Sequence, residues 1–592
     1  MQRRSKRDDC LQAPWRLAPL GFLSVWLAAA PVTAVTVPEP GEPVDVDAII
    51  ASMSLEEKVG QLLMVGFAGT EITPRIDKWV RQRKVGGVAL FSRNIKNLEQ
   101  TARFTRQLHR LTKDRVPIFL ALDQEGGNVI RVEEGAMILP GNMALGATRS
   151  KTLAYVAGQG LAIDLRRLGF NMNLAPVLDV NSNPRNPVIG IRSYGERPEL
   201  VAELGSWYVR GQQEMGVVAV AKHFPGHGDT QSDSHFSMPA VDASLKRLKQ
   251  VELAPFQRAM DAGLDAVMTA HIALPQIAES PHLPATLSRQ VLTATLRRDL
   301  GFEGVVITDG LEMRGIVERY GSGRAAVMAL KAGADMPMIL WTRKMKEEVY
   351  QSLLAAVRSG EISRKRLHQS LRRILRTKKR RGLFRNQLAP LNHIVKSGNR
   401  NTVHEQVAAR IAREAVTLVR NRGDVLPLRP AKQPHVVAVA PPGPFGKTLA
   451  QQANVEMISV PYVPSRKRRR EITAATIDAA RDADTLILAA VNRYHIGIAQ
   501  RVTASLPGVR TVLLSFASPY YLEDLPDVEG YVCTYSYRDA AQAAAARAVI
   551  GNAPMNGRLP ISIPGFYAYG HRVENRQFVT LTSGGPAKSS VR

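Results

Sequence analysis

Three segments of the 592-residue chain concentrate groups that can bind, transfer protons or attack: Lys222-His-Phe-Pro-Gly-His-Gly-Asp-Thr-Gln-Ser-Asp-Ser-His235, Asp123-Gln-Glu-Gly-Gly-Asn-Val-Ile-Arg131 and Val305-Val-Ile-Thr-Asp-Gly-Leu-Glu-Met313. The first places three histidines and two aspartates within 14 residues, with Pro225, Gly226 and Gly228 among them. That composition describes a loop whose polar groups surround a pocket, not a packed helix. His223 and His227 are four apart, as in helical zinc sites, but Pro225-Gly226 breaks the helix this geometry needs, so no metal is assigned. Loop histidines that only hydrogen-bond are the structural alternative. Asp233 and His235 are close enough to meet in a turn. There a carboxylate orients the imidazole and favours its protonated form, giving a proton donor near neutral pH.

Asp309 follows the apolar run Val305-Val-Ile-Thr308. A carboxylate at a strand end can be a nucleophile, a metal ligand or an acceptor for backbone amides, and position alone leaves all three open. Paired with a separate proton donor, it gives the two-group layout of a retaining glycosidase. The donor would be an imidazole where most such enzymes use a carboxylic acid, so the usual carboxylate-separation rule does not transfer.

These residues need a scaffold, and short aliphatic runs supply it: Leu62–Phe67, Gly86–Phe91, Pro117–Leu122, Asn171–Ala175, Val217–Lys222, Ala266–Ala270, Val305–Thr308 and Met336–Leu340. Helical patterns lie between them, the first opened by the capping box Ser54-Leu-Glu-Glu57. Eight strand–helix units predict an α/β fold with a (β/α)8 TIM-type barrel over residues 35–385. Asp123, Asp179, Lys222, His223, His271 and Asp309 all fall at or just after the ends of these runs, where a barrel places its chemistry. A polar linker is expected at 386–402, a smaller αβα sandwich at 403–570 and a tail at 571–592. Within the sandwich the pattern predicts a helix over Glu405–Val419 and strands at His435–Ala440, Thr485–Val491, Val509–Ser515 and Tyr531–Thr534, with the basic run Arg466–Arg470 in a loop.

The chain carries 79 Lys plus Arg against 52 Asp plus Glu, a net charge of +27, and only two cysteines. Cys10 and Cys533 exclude a disulfide scaffold, and neither sits in a zinc pattern. Residues 1–16 hold five basic and two acidic side chains, and Leu17–Val37 holds no charge. Val32-Thr33-Ala34 then supplies small residues for signal peptidase. Residues 1–34 therefore predict a signal peptide, or an uncleaved anchor, and an exported, periplasmic protein. Residues 364–385 contain 11 basic and no acidic side chains, expected as a helix that turns Leu367, Leu371, Ile374 and Leu375 inward and leaves its cations solvated. Two stretches, 364–385 and 466–470, hold 16 of the basic charges and lie outside the three chemical segments. The charge thus describes surface and setting, with attraction to an anionic cell wall or membrane surface as the expected consequence. No interleaved aromatic pattern supports a nucleic-acid partner.

The three segments resemble those of glycoside hydrolase family 3, in its β-N-acetylhexosaminidase branch, whose motif is KHFPGHGDT followed by DSH. The similarity runs from about Ser54 to Pro564 and includes Ala412-Arg-Glu-Ala-Val-Thr-Leu-Val419 and Arg558-Leu-Pro-Ile-Ser-Ile-Pro564. The resemblance implies a covalent glycosyl intermediate on Asp309, His235 as acid/base on a mobile loop and Asp233 as its dyad partner. It implies that Asp123, Arg131, Arg192, Lys222 and His223 hold a non-reducing N-acetylglucosamine, without a cofactor. The implied reaction is removal of that sugar from peptidoglycan fragments, muropeptides or related glycans. A β-glucosidase of the same superfamily, an N-acetylglucosaminide phosphorylase and a non-catalytic wall-binding protein are the alternatives. Two positions depart from the family pattern: Asn128 stands where Arg is usual, and Ile191 where Asp is usual. Both concern fine pocket geometry and neither is assigned to catalysis.

Overall fold

A computed structural model describes residues 44–574 except 113–114, 234–237, 386–390, 392–393, 395–401, 430 and 454. The expected export segment 1–34, His235, most of the expected linker and the chain beyond 574 lie outside the described residues.

Eight parallel strands close into a barrel in sequence order: β1 Met64–Gly66, β2 Gly87–Leu90, β3 Phe119–Leu122, β4 Met172–Asn173, β5 Val218–Phe224, β6 Ala266–Thr269, β7 Val305–Gly310 and β8 Met336–Ile339. β1 and β8 close the ring, with Met64 opposite Met338. All but one of the strand residues are buried, which is why the runs read as continuously apolar and not alternating. The expected capping box is present, Ser54 Oγ accepting from the Glu57 amide at 3.2 Å and Glu57 Oε2 from the Ser54 amide at 2.9 Å. It opens the second helix, Leu55–Gln61, and not the first, since Asp45 caps an earlier one at Val46–Ser52.

The basic run forms the helix Arg364–Arg380, and Leu367, Leu371, Ile374 and Leu375 are buried as anticipated. Its cations are not simply solvated. Arg366 and Arg373 reach the buried Asp335, which Arg297 also grips at 2.6 Å. Arg381 reaches Asp265, and the Lys378 ammonium, wholly buried, donates to Gln61 at 2.9 Å. Asp265 and Asp335 immediately precede β6 and β8, at the N-terminal face of the barrel. Part of the positive charge therefore neutralises buried carboxylates at the end opposite the expected chemistry.

The second domain is a six-stranded sheet: β9 Thr417–Asn421, β10 Val436–Ala440, β11 Glu456–Ser459, β12 Thr485–Ala490, β13 Thr511–Ser515 and β14 Gly530–Cys533, in the order β11-β10-β12-β13-β14-β9. Five strands are parallel, and β9 pairs antiparallel with β14 at one edge. Three expectations need correction. The helix expected over Glu405–Val419 ends at Ala415, and Thr417–Asn421 is a strand, because the β-branched run Val416-Thr417 suits a buried sheet better than a helix. Arg466–Arg470 opens the helix Arg466–Ala479, capped by Ser465 Oγ on the Arg468 amide at 3.2 Å. The start of the expected tail is held to β9, where the Val573 amide donates to Leu418 O at 2.8 Å.

Barrel and sheet domain belong to one compact unit, and buried side chains of both join one continuous apolar core. Polar ties cross the junction: Arg149 Nη2 donates to Leu559 O at 2.7 Å, Ser562 Oγ to Glu196 at 2.8 Å and Asn181 Nδ2 to Tyr520 Oη at 3.0 Å.

Candidate active site

A cavity of about 540 Å³ opens at the C-terminal ends of the barrel strands. Asp123, Arg131, Arg192, Lys222, His223 and Asp309 all line it. Six of the eight expected site residues therefore converge, from four different strand ends and loops. Asp233 is described but does not line the cavity, and His235 lies outside the described residues.

The centre is a chain of buried charges. Lys222 Nζ donates to Asp123 Oδ1 at 2.8 Å and lies 2.6 Å from Glu125 Oε1. Arg192 grips Glu125 with two parallel bonds, Nε to Oε2 at 2.9 Å and Nη2 to Oε1 at 2.8 Å. Arg131 Nη2 completes the chain on Asp123 Oδ2 at 3.2 Å. Burial pushes the Asp123 carboxyl up, but Lys222 and Arg131 outweigh it and hold the group below its ordinary value. Glu125 follows the same logic more strongly, through Arg192 and Lys222. On Lys222 burial opposes the charged form, yet Asp123 and Glu125 together raise its pKa. Asp123, Glu125, Lys222 and Arg192 hold one another in the charged form, so the pocket floor presents fixed donors and acceptors that need not reorganise when a polar ligand arrives.

Local sequence explains how these groups reach the pocket. Residues 123–131 fold back through Gly126 and Gly127, at φ of 95° and 55°. A side chain on Gly126 would come within 2.8 Å of the Leu139 Cβ. Gln124 ties the loop base together, its Oε1 accepting from the Arg131 and Val132 amides at 2.8 and 3.1 Å. On β5, pairing to β6 shifts register between Ala221 and Phe224, and this irregularity lets the consecutive Lys222 and His223 both face the cavity. His223 Nδ1 is held by Asp179 Oδ2 at 2.7 Å, and the His227 amide donates to Asp179 Oδ1 at 2.6 Å. Burial raises the Asp179 carboxyl, but His223 brings it below the ordinary value. One buried aspartate thus orients the first half of the histidine loop.

Asp309, next to last in β7, is half-buried, with Oδ1 accepting from the Gly310 amide at 2.7 Å. His271 approaches Gly310 O through Nε2 at 3.0 Å and so braces the turn beyond Asp309 from β6's end. Across the mouth, Phe91 and Trp341 pack with centroids 4.4 Å apart, and the Arg93 guanidinium lies 3.8 Å above the Trp341 ring. Trp341 is 52% exposed, an aromatic wall beside a polar floor. Such a wall suits the apolar face of a sugar ring.

In the sequence Glu125 and Trp341 have no assigned role, Asp179 is marked only by its place at a strand end and His227 is considered only as a metal ligand. The signal for Glu125 was its place between Asp123 and the paired glycines, and for Trp341 its position after a strand run. Asn128, one of the two departures, is exposed at the turn, and Ile191 packs against the apolar core. Neither lines the cavity. A larger cavity of about 850 Å³ beside β1 offers a single carboxylate, Glu347, already paired with Lys78 at 3.3 Å and Arg83 at 2.8 Å. It lacks the two-group chemistry.

A model of the glycosyl hydrolase family 3 N-terminal domain matches residues 54–377. The chain belongs to glycoside hydrolase family 3. Among its relatives, β-hexosaminidase A of Pseudoalteromonas piscicida is 35% identical over 416 residues, covering 64% of this chain and 69% of that protein. A β-N-acetylglucosaminidase/β-glucosidase of Cellulomonas fimi is 28% identical over 542 residues, 86% of this chain and 94% of that one. The solved structure of a family 3 β-N-acetylglucosaminidase from Paenibacillus sp. str. FPU-7 matches with a TM-score of 0.81 and 36% identity, over 86% of this chain and 99% of that chain. The family 3 architecture, barrel followed by sheet domain, is the one described above, and the chain is a glycoside hydrolase of the β-N-acetylhexosaminidase branch.

Proposed function

We propose that this family 3 enzyme is an exported, retaining exo-β-N-acetylglucosaminidase that removes the non-reducing terminal N-acetylglucosamine from peptidoglycan fragments or related glycans. The observation that carries the reading is the convergence of Asp309 with the ionised Asp123–Lys222–Glu125–Arg192 chain in one cavity at the strand ends. The names of the relatives, β-hexosaminidase and β-N-acetylglucosaminidase, support the substrate class.

In this reading Asp123, Arg131, Lys222, Arg192 and His223 hold the sugar's hydroxyls and fix the ring above Asp309. An Asp309 carboxylate oxygen attacks the anomeric carbon while the protonated imidazole of His235 gives its proton to the departing glycosidic oxygen. The carbon–oxygen bond to the aglycone breaks as the ester to Asp309 forms. His235, now neutral, takes a proton from water; the oxygen attacks the same carbon, Asp309 leaves, and the configuration is retained. Asp233 serves as the imidazole's orienting partner. Residues 1–34 act as the export signal.

Release of 4-nitrophenol from the N-acetyl-β-glucosaminide tests the activity, and Asp309→Asn is expected to lower kcat at least about 10³-fold. A second reading, activity on β-glucosides, is favoured by the paired name of the Cellulomonas fimi relative. Comparison of kcat/KM on the two aryl glycosides decides: a ratio near unity establishes dual activity, and a large preference for the acetamido sugar excludes it.

A further inference from the structure

The two basic stretches have different fates. In Arg364–Arg380, Arg366, Arg373 and Arg380 reach buried carboxylates beneath the barrel, while Arg364, Lys365 and Arg376 are exposed there; on the sheet domain Arg466, Lys467, Arg468 and Arg470 stand exposed. Glu471 offsets part of this charge, pairing with Lys467 at 3.9 Å and Arg468 at 3.2 Å. Beside these cations lie Tyr462, Val463 and Tyr494, 37%, 73% and 45% exposed. Among the described residues only five large apolar side chains are exposed, and three of them fall in this one place. The grouping follows from topology: Tyr462 comes after β11 and Tyr494 after β12, so both loops emerge at the C-terminal edge of parallel strands, where open α/β sheets bind ligands.

The patch connects to the catalytic cavity residue by residue. Arg538 Nε donates to Gly127 O, in the loop that carries Arg131, at 2.7 Å. The Arg538 guanidinium covers Tyr537 at 5.1 Å, and the Tyr537 and Tyr462 rings lie 5.8 Å apart. Asn492 Nδ2 donates to Tyr462 O at 2.6 Å and caps the helix that presents Tyr494, whose ring Arg469 covers at 4.9 Å. A strip of three tyrosine rings, with the Arg538 guanidinium at one end and that of Arg469 at the other, thus leads from the site's glycine turn to the exposed basic helix.

We propose that this strip is a docking surface for an acidic glycan, holding the polymer whose non-reducing end lies in the barrel cavity. The inference rests on the function proposed above and adds a class of ligand to it: a polysaccharide bearing carboxylates. Aromatic rings pack on the apolar faces of sugars, and guanidinium groups pair with carboxylates through two parallel bonds. Neutral chitooligosaccharides would meet the rings alone and bind the strip more weakly.

Cosedimentation of the full chain with peptidoglycan sacculi, neutral chitin and phosphatidylglycerol vesicles tests this. The triple variant Arg466→Gln/Lys467→Gln/Arg470→Gln is expected to weaken sacculus binding about fivefold or more. The matched variant Arg364→Gln/Lys365→Gln/Arg376→Gln removes the same charge from the barrel helix and is expected to change it less than about twofold. Tyr494→Ala is expected to weaken binding to sacculi and chitin alike. Equal losses in both triple variants would reduce the effect to net charge and overturn the proposal, as would patch-dependent binding to vesicles without patch-dependent binding to sacculi. Wild-type turnover of the aryl N-acetylglucosaminide reads the proposed function independently of either result.

Discussion

Glu125 is the residue on which the pocket turns. It is 3% exposed and sits between Lys222 and Arg192, taking both cations at hydrogen-bonding distance. Its replacement by Gln keeps the shape but leaves Lys222 with Asp123 alone and takes from Arg192 the carboxylate it grips. Removing one partner of such a group costs about 3–5 kcal/mol, and an unfolding free energy lower by that amount in denaturant titration is the expected outcome. A change below about 1 kcal/mol would show that water, not Glu125, compensates the cations. The same carboxylates set an acid limit. Their folded-state pKa values are depressed, so they add stability above the ordinary carboxyl range and lose it as pH falls through the folded values. Denaturation followed between pH 7 and pH 3 is expected to show stability falling on the acid side, with Glu125→Gln flattening that dependence. Glu125 was missed in the sequence because its role is defined only by Arg192 and Lys222, 67 and 97 positions away. Lys222 and His223, by contrast, were legible, since adjacent polar residues closing an apolar run have no place in a barrel core.

At the scale of elements, the barrel divides its charged clusters between two ends. At the N-terminal face Asp335 is wholly buried among Arg297, Arg366, Arg373 and Ser370, and those cations draw its carboxyl down despite burial. Asp335→Asn is expected to destabilise the fold by about 3–5 kcal/mol while leaving KM for the aryl glycoside unchanged; a KM shift without loss of stability would contradict the division. At the C-terminal face the turn at Gly126 and Gly127 is buttressed from the second domain by Arg538. Arg538→Ala is expected to raise KM several-fold through the loosened Arg131, with little change in melting temperature. Eight strands were readable because each is a compact apolar run ending in polar residues. The second sheet was read less completely. β11 is a half-exposed edge strand without an apolar run, and Val416-Thr-Leu-Val419 satisfies the tail of a helix and the start of a strand equally well. Arg466–Arg470 reads as a loop between elements, although arginine is a good helix former and Ser465 supplies the cap.

For the whole molecule, the continuous core and the polar ties at Arg149, Glu196 and Asn181 make barrel and sheet domain interdependent. A single cooperative calorimetric transition is expected, and two separated transitions would show domains that fold alone. The chain's charge of +27 likewise resolves by position, part of it spent on buried carboxylates below the barrel and part displayed on the sheet domain.

The most direct test is to trap the sugar on the enzyme. Incubation with a 5-fluoro N-acetylglucosaminyl fluoride, followed by proteolysis and mass spectrometry, is expected to place the label on the peptide containing Asp309, with no label on the Asp309→Asn variant. An unlabelled Asp309 peptide in an enzyme that this reagent inactivates, or near-normal turnover by the variant, would contradict the assignment.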